Sequence, residues 1–320
     1  MPVPDTGDSW SGKVNAVTLG ATKDSGGTRG GTLTVGGAQA MPFTGGREKR
    51  GNRPVIAADI LDAVPADWPA PLVAAYKDVV DDPAAWAKKA VDECKADLVC
   101  VKLDGTHPDK GNRSPEEAVK VVRAVKEAVS VPLIVWGCEA DAKDNAVMPK
   151  VSEVLKGENA LLGVVTKDNY KTLTAVALAD GHNIIALAPI DINIAKQVNI
   201  LVSDMGFPLE RIVMFQTTGA LGYGLEYVYS IHERERLAAL TGDKMMAMPT
   251  ICDVGGEAWR AKEAKTPDAE AGNWGAQDER GPMWEAITAV SLLQTGADVI
   301  RMRHPKAMAV VREYIDRLYT

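Results

Sequence analysis

No apolar stretch of the chain approaches the roughly 20 residues that cross a bilayer. The first residues, Met1-Pro2-Val3-Pro4-Asp5, lack the basic and apolar parts of a secretory signal. The expectation is a cytoplasmic protein with no membrane partner. Cysteine is scarce: Cys94, Cys100, Cys138 and Cys252 form no CxxC pair and no ferredoxin-like run, so nothing suggests zinc or an iron–sulfur cluster on this chain, and the four read as buried thiols. Positive charge is short as well. Thirty-six Lys and Arg face 43 Asp and Glu for a net charge of −7, and the only basic cluster, Arg47, Lys49, Arg50 and Arg53, reads as a solvated linker, so nucleic acid is not expected as a partner. Also missing are a dinucleotide-binding glycine fingerprint, a P-loop, a nucleophile elbow, an HExxH pair and the context of a cofactor-binding lysine.

What is present is repetition. Between Arg53 and Thr320, a short apolar run rich in β-branched residues is followed eight times by an amphipathic stretch at helical spacing, the pattern of a (β/α)₈ TIM barrel. Residues 53–320 are assigned to that barrel. Its strands are expected near Val55–Leu61, Asp97–Leu103, Pro132–Gly137, Leu161–Thr166, Asn183–Ala188, Arg211–Gln216, Met245–Ile251 and Asp298–Met302. Helix starts are expected at Asp82-Pro83, at Ser114-Pro115-Glu116-Glu117 and at Gly281-Pro282, and helix stops at Gly157, Gly181, Gly206, Gly242 and Gly296. Residues 1–52 read as a Gly-rich extension, in which Val14–Thr18 and Thr32–Val35 form a hairpin and the glycines, including Gly36-Gly37 and Gly45-Gly46, serve turns. Between Gly255 and Gly281 the rhythm breaks. This long connection with Trp259 and Trp274 lies on the face where barrels bind ligands, and is expected to be either a functional cover or a disordered insertion.

Strand alternation sends Ile300, Met302, Val101 and Leu103 towards the helices, and Asp59, Lys102, Asp104, Gln216, Arg301 and Arg303 inward near the mouth. Such charges must be paired, as a self-satisfied plug or with a ligand. His107 and His304 fall at the mouth, whereas His182 lies at the opposite end and His232 in a helix. The small and polar loop from Thr217 to Gly224, and Asp253-Val254-Gly255-Gly256-Glu257 after the seventh strand, suit close approach of a bulky ligand.

Several strings carry a family likeness: Met41-Pro42-Phe43, Arg53-Pro54-Val55-Ile56-Ala57, Lys102-Leu103-Asp104-Gly105-Thr106, Val135-Trp136-Gly137-Cys138, Gln216-Thr217-Thr218-Gly219-Ala220-Leu221-Gly222-Tyr223-Gly224 and Met248-Pro249-Thr250-Ile251-Cys252-Asp253. With them the chain resembles the small subunit of the corrinoid iron–sulfur protein, the delta subunit family of acetyl-CoA decarbonylase/synthase. That resemblance implies a heterodimer with a large subunit bearing the [4Fe–4S] cluster, and a cobalamin shared at their junction. It implies a methyl group taken from methyltetrahydrofolate through a methyltransferase and passed to carbon monoxide dehydrogenase/acetyl-CoA synthase in the Wood–Ljungdahl pathway. No independent active site is then expected, because the corrinoid carries the chemistry. The expected corrin contacts are Thr217, Thr218, Gly219, Gly222, Tyr223, Asp253, Gly255, Gly256, Arg303 and His304, with Trp259 and Trp274 covering the cofactor or the partner.

The fold is also similar to that of pterin-binding methyltransferases, and Asp253 to Glu257 echoes a dihydropteroate synthase string that there follows an early strand. The alternative reading is therefore a stand-alone pterin- or folate-dependent methyltransferase. A lyase using Lys102 as an imine-forming amine fits less well, because Asp104 two residues on favours the charged amine.

Overall fold

The alternating segments close into a barrel whose floor is filled by the N-terminal hairpin. The computed structural model describes residues 9–42, 44 and 49–319. Met1–Asp5, Phe43, Gly45, Gly46 and Arg47, which enter the sequence reading, lie outside the described residues. Strands β1 (Ala16–Leu19) and β2 (Leu33–Gly36) pair antiparallel, with Ala16 opposite Gly36. Val17, Leu19 and Val35 bury against Leu98, Ile134 and Val213 inside the barrel. Asn159, just before the barrel strand Leu161–Val165, and Asn183, the first residue of the barrel strand Asn183–Leu187, donate their amide N–H groups to the Thr18 carbonyl at 2.8 and 3.1 Å. The extension is pinned further by Arg29, whose Nε lies 2.9 Å from Glu158 Oε2 with both side chains 2 % exposed.

The barrel strands are β3 (Val55–Leu61), β4 (Leu98–Lys102), β5 (Leu133–Trp136), β6 (Leu161–Val165), β7 (Asn183–Leu187), β8 (Ile212–Phe215), β9 (Ile251–Asp253) and β10 (Val299–Met302). Their order around the sheet is β8-β7-β6-β5-β4-β3-β10-β9, with parallel pairing throughout, and a bridge between Met214 and Thr250 links the two ends. The helices are α1 (Ala70–Tyr76), α2 (Pro83–Asp92), α3 (Pro115–Ala128), α4 (Asp141–Val154), α5 (Tyr170–Asp180), α6 (Ile192–Asp204), α7 (Leu225–Leu240), α8 (Val254–Ala258), α9 (Lys262–Lys265), α10 (Asp268–Ala271), α11 (Gln277–Leu293) and α12 (Pro305–Tyr319). Two layers of core result, as a parallel sheet buried on both faces requires. Ile300, Met302, Val101 and Leu103 pack outward under the helices, while Val299, Cys100 and Ile251 pack inward.

Local signals act as expected at most element ends. Asp82 accepts the N–H groups of Ala84 and Ala85, Ser114 and Glu117 form a capping box, and all five stop glycines adopt positive φ. Four expectations are corrected. The seventh strand does not span Met245–Ile251: residues 244–246 form a 3₁₀ turn capped by Asp243, and the strand begins at Ile251. Met246 and Met248 are apolar because they fill the core under the helices, and Pro249 has no N–H to give to a ladder.

The segment from Gly255 to Gly281 is neither one open loop nor disordered, since it folds into α8, α9, α10 and the first turn of α11. Gly281-Pro282 accordingly lies inside α11 rather than before it. A proline there frees the carbonyl four residues back, and Lys306 Nζ donates to that Asp278 oxygen at 3.3 Å. Gly281 is required by packing, because a Cβ on it would lie 2.4 Å from the Trp259 ring. Finally, Gln216 does not point inward. Phe215 takes the inward position against Trp136, and the amide of Gln216 is buried beside Glu235 of α7.

Candidate functional site

The inward side chains of β3 and β10 build an ion-pair plug across the top of the barrel. Arg301 Nε donates to Asp59 Oδ1 at 2.8 Å and Arg303 Nε to Asp59 Oδ2 at 2.7 Å, while Arg301 Nη1 lies 3.4 Å from Asp253 Oδ2. The Arg301 guanidinium stacks 4.5 Å over the Trp136 ring, and Arg303 sits 5.7 Å from that of Trp68. Burial alone would raise the Asp59 carboxyl, but the two guanidinium groups outweigh it and hold it at about 2. The four charges balance in sign, although Arg301 Nη1 and Nη2 have no hydrogen-bond partner.

Above the plug a cleft of about 730 Å³ opens between the loops leaving β3, β4, β5, β9 and β10. Val64, Pro65 and Trp68 form its apolar wall; Lys102, Asp104, Glu139 and Arg303 supply polar groups. Most of that charge is internally paired. Lys102 Nζ lies 2.7 Å from Glu139 Oε1, which also accepts Trp136 Nε1–H at 3.0 Å, and Lys110 Nζ lies 2.5 Å from Asp104 Oδ2. Among the described residues no group of three or more His, Cys, Asp or Glu is arranged to hold a metal ion.

Of the residues expected to contact the corrin, Gly256 and Arg303 line this cleft. Thr217, Gly222 and Tyr223 are exposed on the β8 side of the mouth, where the Tyr223 hydroxyl accepts Lys262 N–H at 3.0 Å. Thr218, Gly219, Asp253 and Gly255 are buried. Thr218 Oγ1 accepts Asp253 N–H at 2.8 Å, and Asp253 Oδ1 in turn accepts Gly256 N–H at 3.0 Å, which shapes the β9 end. His304 is buried too: its Nδ1 accepts Lys306 N–H at 3.1 Å, and burial, with Lys306 nearby, pushes the imidazole down to about 4, so it is neutral. His107 lines the cleft, while His182 and His232 are buried away from it.

Trp259 lines the cleft with little of its surface open. It is 3 % exposed and donates Nε1–H to Glu285 at 2.6 Å, whereas Trp274 is 42 % exposed with Lys262 over its ring. Sequence reasoning did not find Glu139, Trp68, Asp62, Arg113 or Glu285. Glu285 on α11 accepts the N–H groups of Arg303 and His304 at 2.6 and 3.1 Å, fixing the end of β10 across a gap of 18 residues. Burial raises that carboxyl to about 7.

These features define a (β/α)₈ barrel with an open cleft at the strand ends, much of whose charge is paired. The profile described as CO dehydrogenase/acetyl-CoA synthase delta subunit matches residues 16–267, and the chain belongs to that family. It is 38 % identical over 316 residues to the Archaeoglobus fulgidus acetyl-CoA decarbonylase/synthase complex subunit delta, covering 97 % of this chain and 70 % of that protein. The Methanopyrus kandleri subunit delta is 37 % identical over 307 residues, covering 95 % and 75 %. Among solved structures, the dihydropteroate synthase of Coxiella burnetii, in complex with pteroic acid, superposes with a TM-score of 0.59 over 95 % of this chain and 97 % of that one. At 13 % identity that likeness concerns the fold alone.

Proposed function

We propose that this chain is the small subunit of a heterodimeric corrinoid iron–sulfur methyl carrier, with its barrel mouth forming one wall of the chamber that holds a cobalamin. The observation that carries the reading is the pairing of charge around a large open cleft. Lys102 with Glu139, Lys110 with Asp104, and Arg303 with Asp59 neutralise much of the charge near the strand ends, while Arg113, Arg260 and Lys265 also line the cleft. The apolar wall of Val64, Pro65 and Trp68 beside these dipolar pairs suits a broad ring edged with neutral amides. The residues present therefore fit the group.

Gly256 and Arg303 in the cleft, and Thr217, Gly222 and Tyr223 on the exposed β8 side, would meet the corrin directly. Thr218, Gly219, Asp253, Gly255 and His304 would set the backbone behind them. A cobalamin held there would supply the methyl-transfer chemistry between methyltetrahydrofolate, through a methyltransferase, and acetyl-CoA synthase. The protein positions the ring and excludes water. Its partner is a large subunit that carries the [4Fe–4S] cluster, and the pair serves carbon fixation in the cytoplasm.

Anaerobic purification of the native complex, followed by a visible spectrum and metal analysis, tests this. Corrin bands and cobalt that copurify with this chain and one larger iron-containing chain are expected. A colourless single chain that turns over methyltetrahydrofolate would instead establish the stand-alone methyltransferase.

A further inference from the structure

Two loops wall the cleft on its β3–β4 side, residues 62–69 after β3 and residues 103–114 after β4, and they meet at one buried carboxylate. Asp62 Oδ1 accepts the Gly105 N–H at 2.6 Å, and Arg113 donates Nη1–H to the Asp62 carbonyl. Asp62 Oδ2 has no hydrogen-bond partner, its side chain is 0 % exposed, and Arg113 Nη1 stands 3.9 Å away. The junction is tightly packed. A Cβ on Gly105 would lie 3.0 Å from that oxygen and 3.1 Å from both Ala63 Cβ and Arg113 Cδ.

We propose that Asp62 is a proton-linked clasp between these two loops, which closes the cleft wall on proton uptake and releases it as the carboxylate ionises.

An ionised carboxylate with an unsatisfied oxygen is costly where no water reaches it, and swinging residues 63–69 away would rehydrate it. Burial pushes the closed carboxyl up to about 6, against the lowering by the Gly105 N–H and Arg113 and with some help from Asp104. The charged groups facing Asp62 are Arg113 and Asp104, both from the loop after β4, with Lys110 neutralising Asp104. In an open state the carboxyl returns to its ordinary range, so the opening equilibrium grows roughly tenfold between pH 5 and pH 7.5 and levels off above. This holds for the unliganded chain and is independent of the corrinoid reading.

Hydrogen exchange of residues 63–69, corrected for the intrinsic pH dependence of exchange, is the test. Wild type is expected to lose protection as pH rises through about 6. Asp62→Asn, neutral at every pH, is expected to show flat protection at the acid level, and a His107→Gln chain should keep the wild-type slope. Arg113→Gln, which removes a charge that lowers the Asp62 carboxyl, should move the midpoint upward and keeps the test available if Asp62→Asn fails to fold. A flat wild-type profile, a slope retained in Asp62→Asn, a slope lost in His107→Gln or a midpoint unmoved in Arg113→Gln would each overturn the proposal.

Discussion

Replacing Asp59 with alanine removes the acceptor for two guanidinium groups at once. Arg301 and Asp59 are both 0 % exposed, so neither the cation nor its partner can turn to water. Truncating one member of such a pair leaves an uncompensated buried charge, which costs about 3–5 kcal/mol, a large part of an ordinary domain's stability. A second route gives a compatible figure. Holding the Asp59 carboxyl at about 2 rather than 3.8 corresponds to about 2–3 kcal/mol of stability. The alanine variant should exceed this, because it strands the cations as well. The sign follows from the depression: the contribution is complete above pH 4 and fades as pH falls through about 2. In urea at pH 7, Asp59→Ala should therefore lower the midpoint by the equivalent of about 3–5 kcal/mol with an unchanged slope. Arg317→Ala, in the exposed pair with Glu313 at 77 % and 64 % exposure, should stay within about 0.5 kcal/mol. A loss below about 1 kcal/mol for Asp59→Ala would refute the account, because Asp253 or water would then have to be satisfying both arginines.

Glu235 on α7 is 1 % exposed with both carboxylate oxygens unpaired, and burial raises it to about 8, so stability should fall as pH climbs from about 4.5 to 8, by a few kcal/mol at most. Glu235→Gln should abolish that slope in urea titrations at successive pH values. Gly281→Ala pushes a methyl group to 2.4 Å from the Trp259 ring and should cost about 1–3 kcal/mol, read as a lowered melting temperature. Glu158→Ala strands the buried Arg29 that ties the hairpin to the barrel floor, and a loss of about 3–5 kcal/mol in denaturant titration is expected.

The barrel was legible because each strand is apolar on both faces. β3 is readable to the residue, since Val55–Leu61 is an uninterrupted buried run between Pro54 and the loop at Asp62. The same rule misplaced the seventh strand: Met245 to Met248 is also an apolar run, yet it packs from a 3₁₀ turn, and periodicity does not distinguish core filling from a ladder in so short a piece. Strand alternation counted from the expected bounds puts Gln216 inward, but Phe215 takes that parity and Gln216 turns to the helices, beside Glu235. Pro282 reads as a helix start until Lys306 is seen to satisfy the carbonyl that the proline frees. At the site, Arg301, Arg303, Asp59 and Lys102 announce themselves as charges inside apolar strands. Glu285, Asp62 and Arg113 act through contacts between distant segments, and nothing local marks them.

General acid–base catalysis needs a titrating group near the working pH whose proton can reach the ligand. Glu285, at about 7, has the right value but is 0 % exposed, with its oxygens occupied by Trp259, Arg303 and His304. His304 is buried and neutral, and Asp59 is held ionised between two arginines. Lys102, which faces the cleft, is engaged by Glu139. Each candidate is thus committed to holding the mouth in shape. On the proposed carrier reading, a mouth so arranged offers a surface of matched polarity to a group that supplies the bond making. In the same structure the loop that could admit or release such a group is joined to the rest by Asp62, a carboxylate whose buried second oxygen has no hydrogen-bond partner.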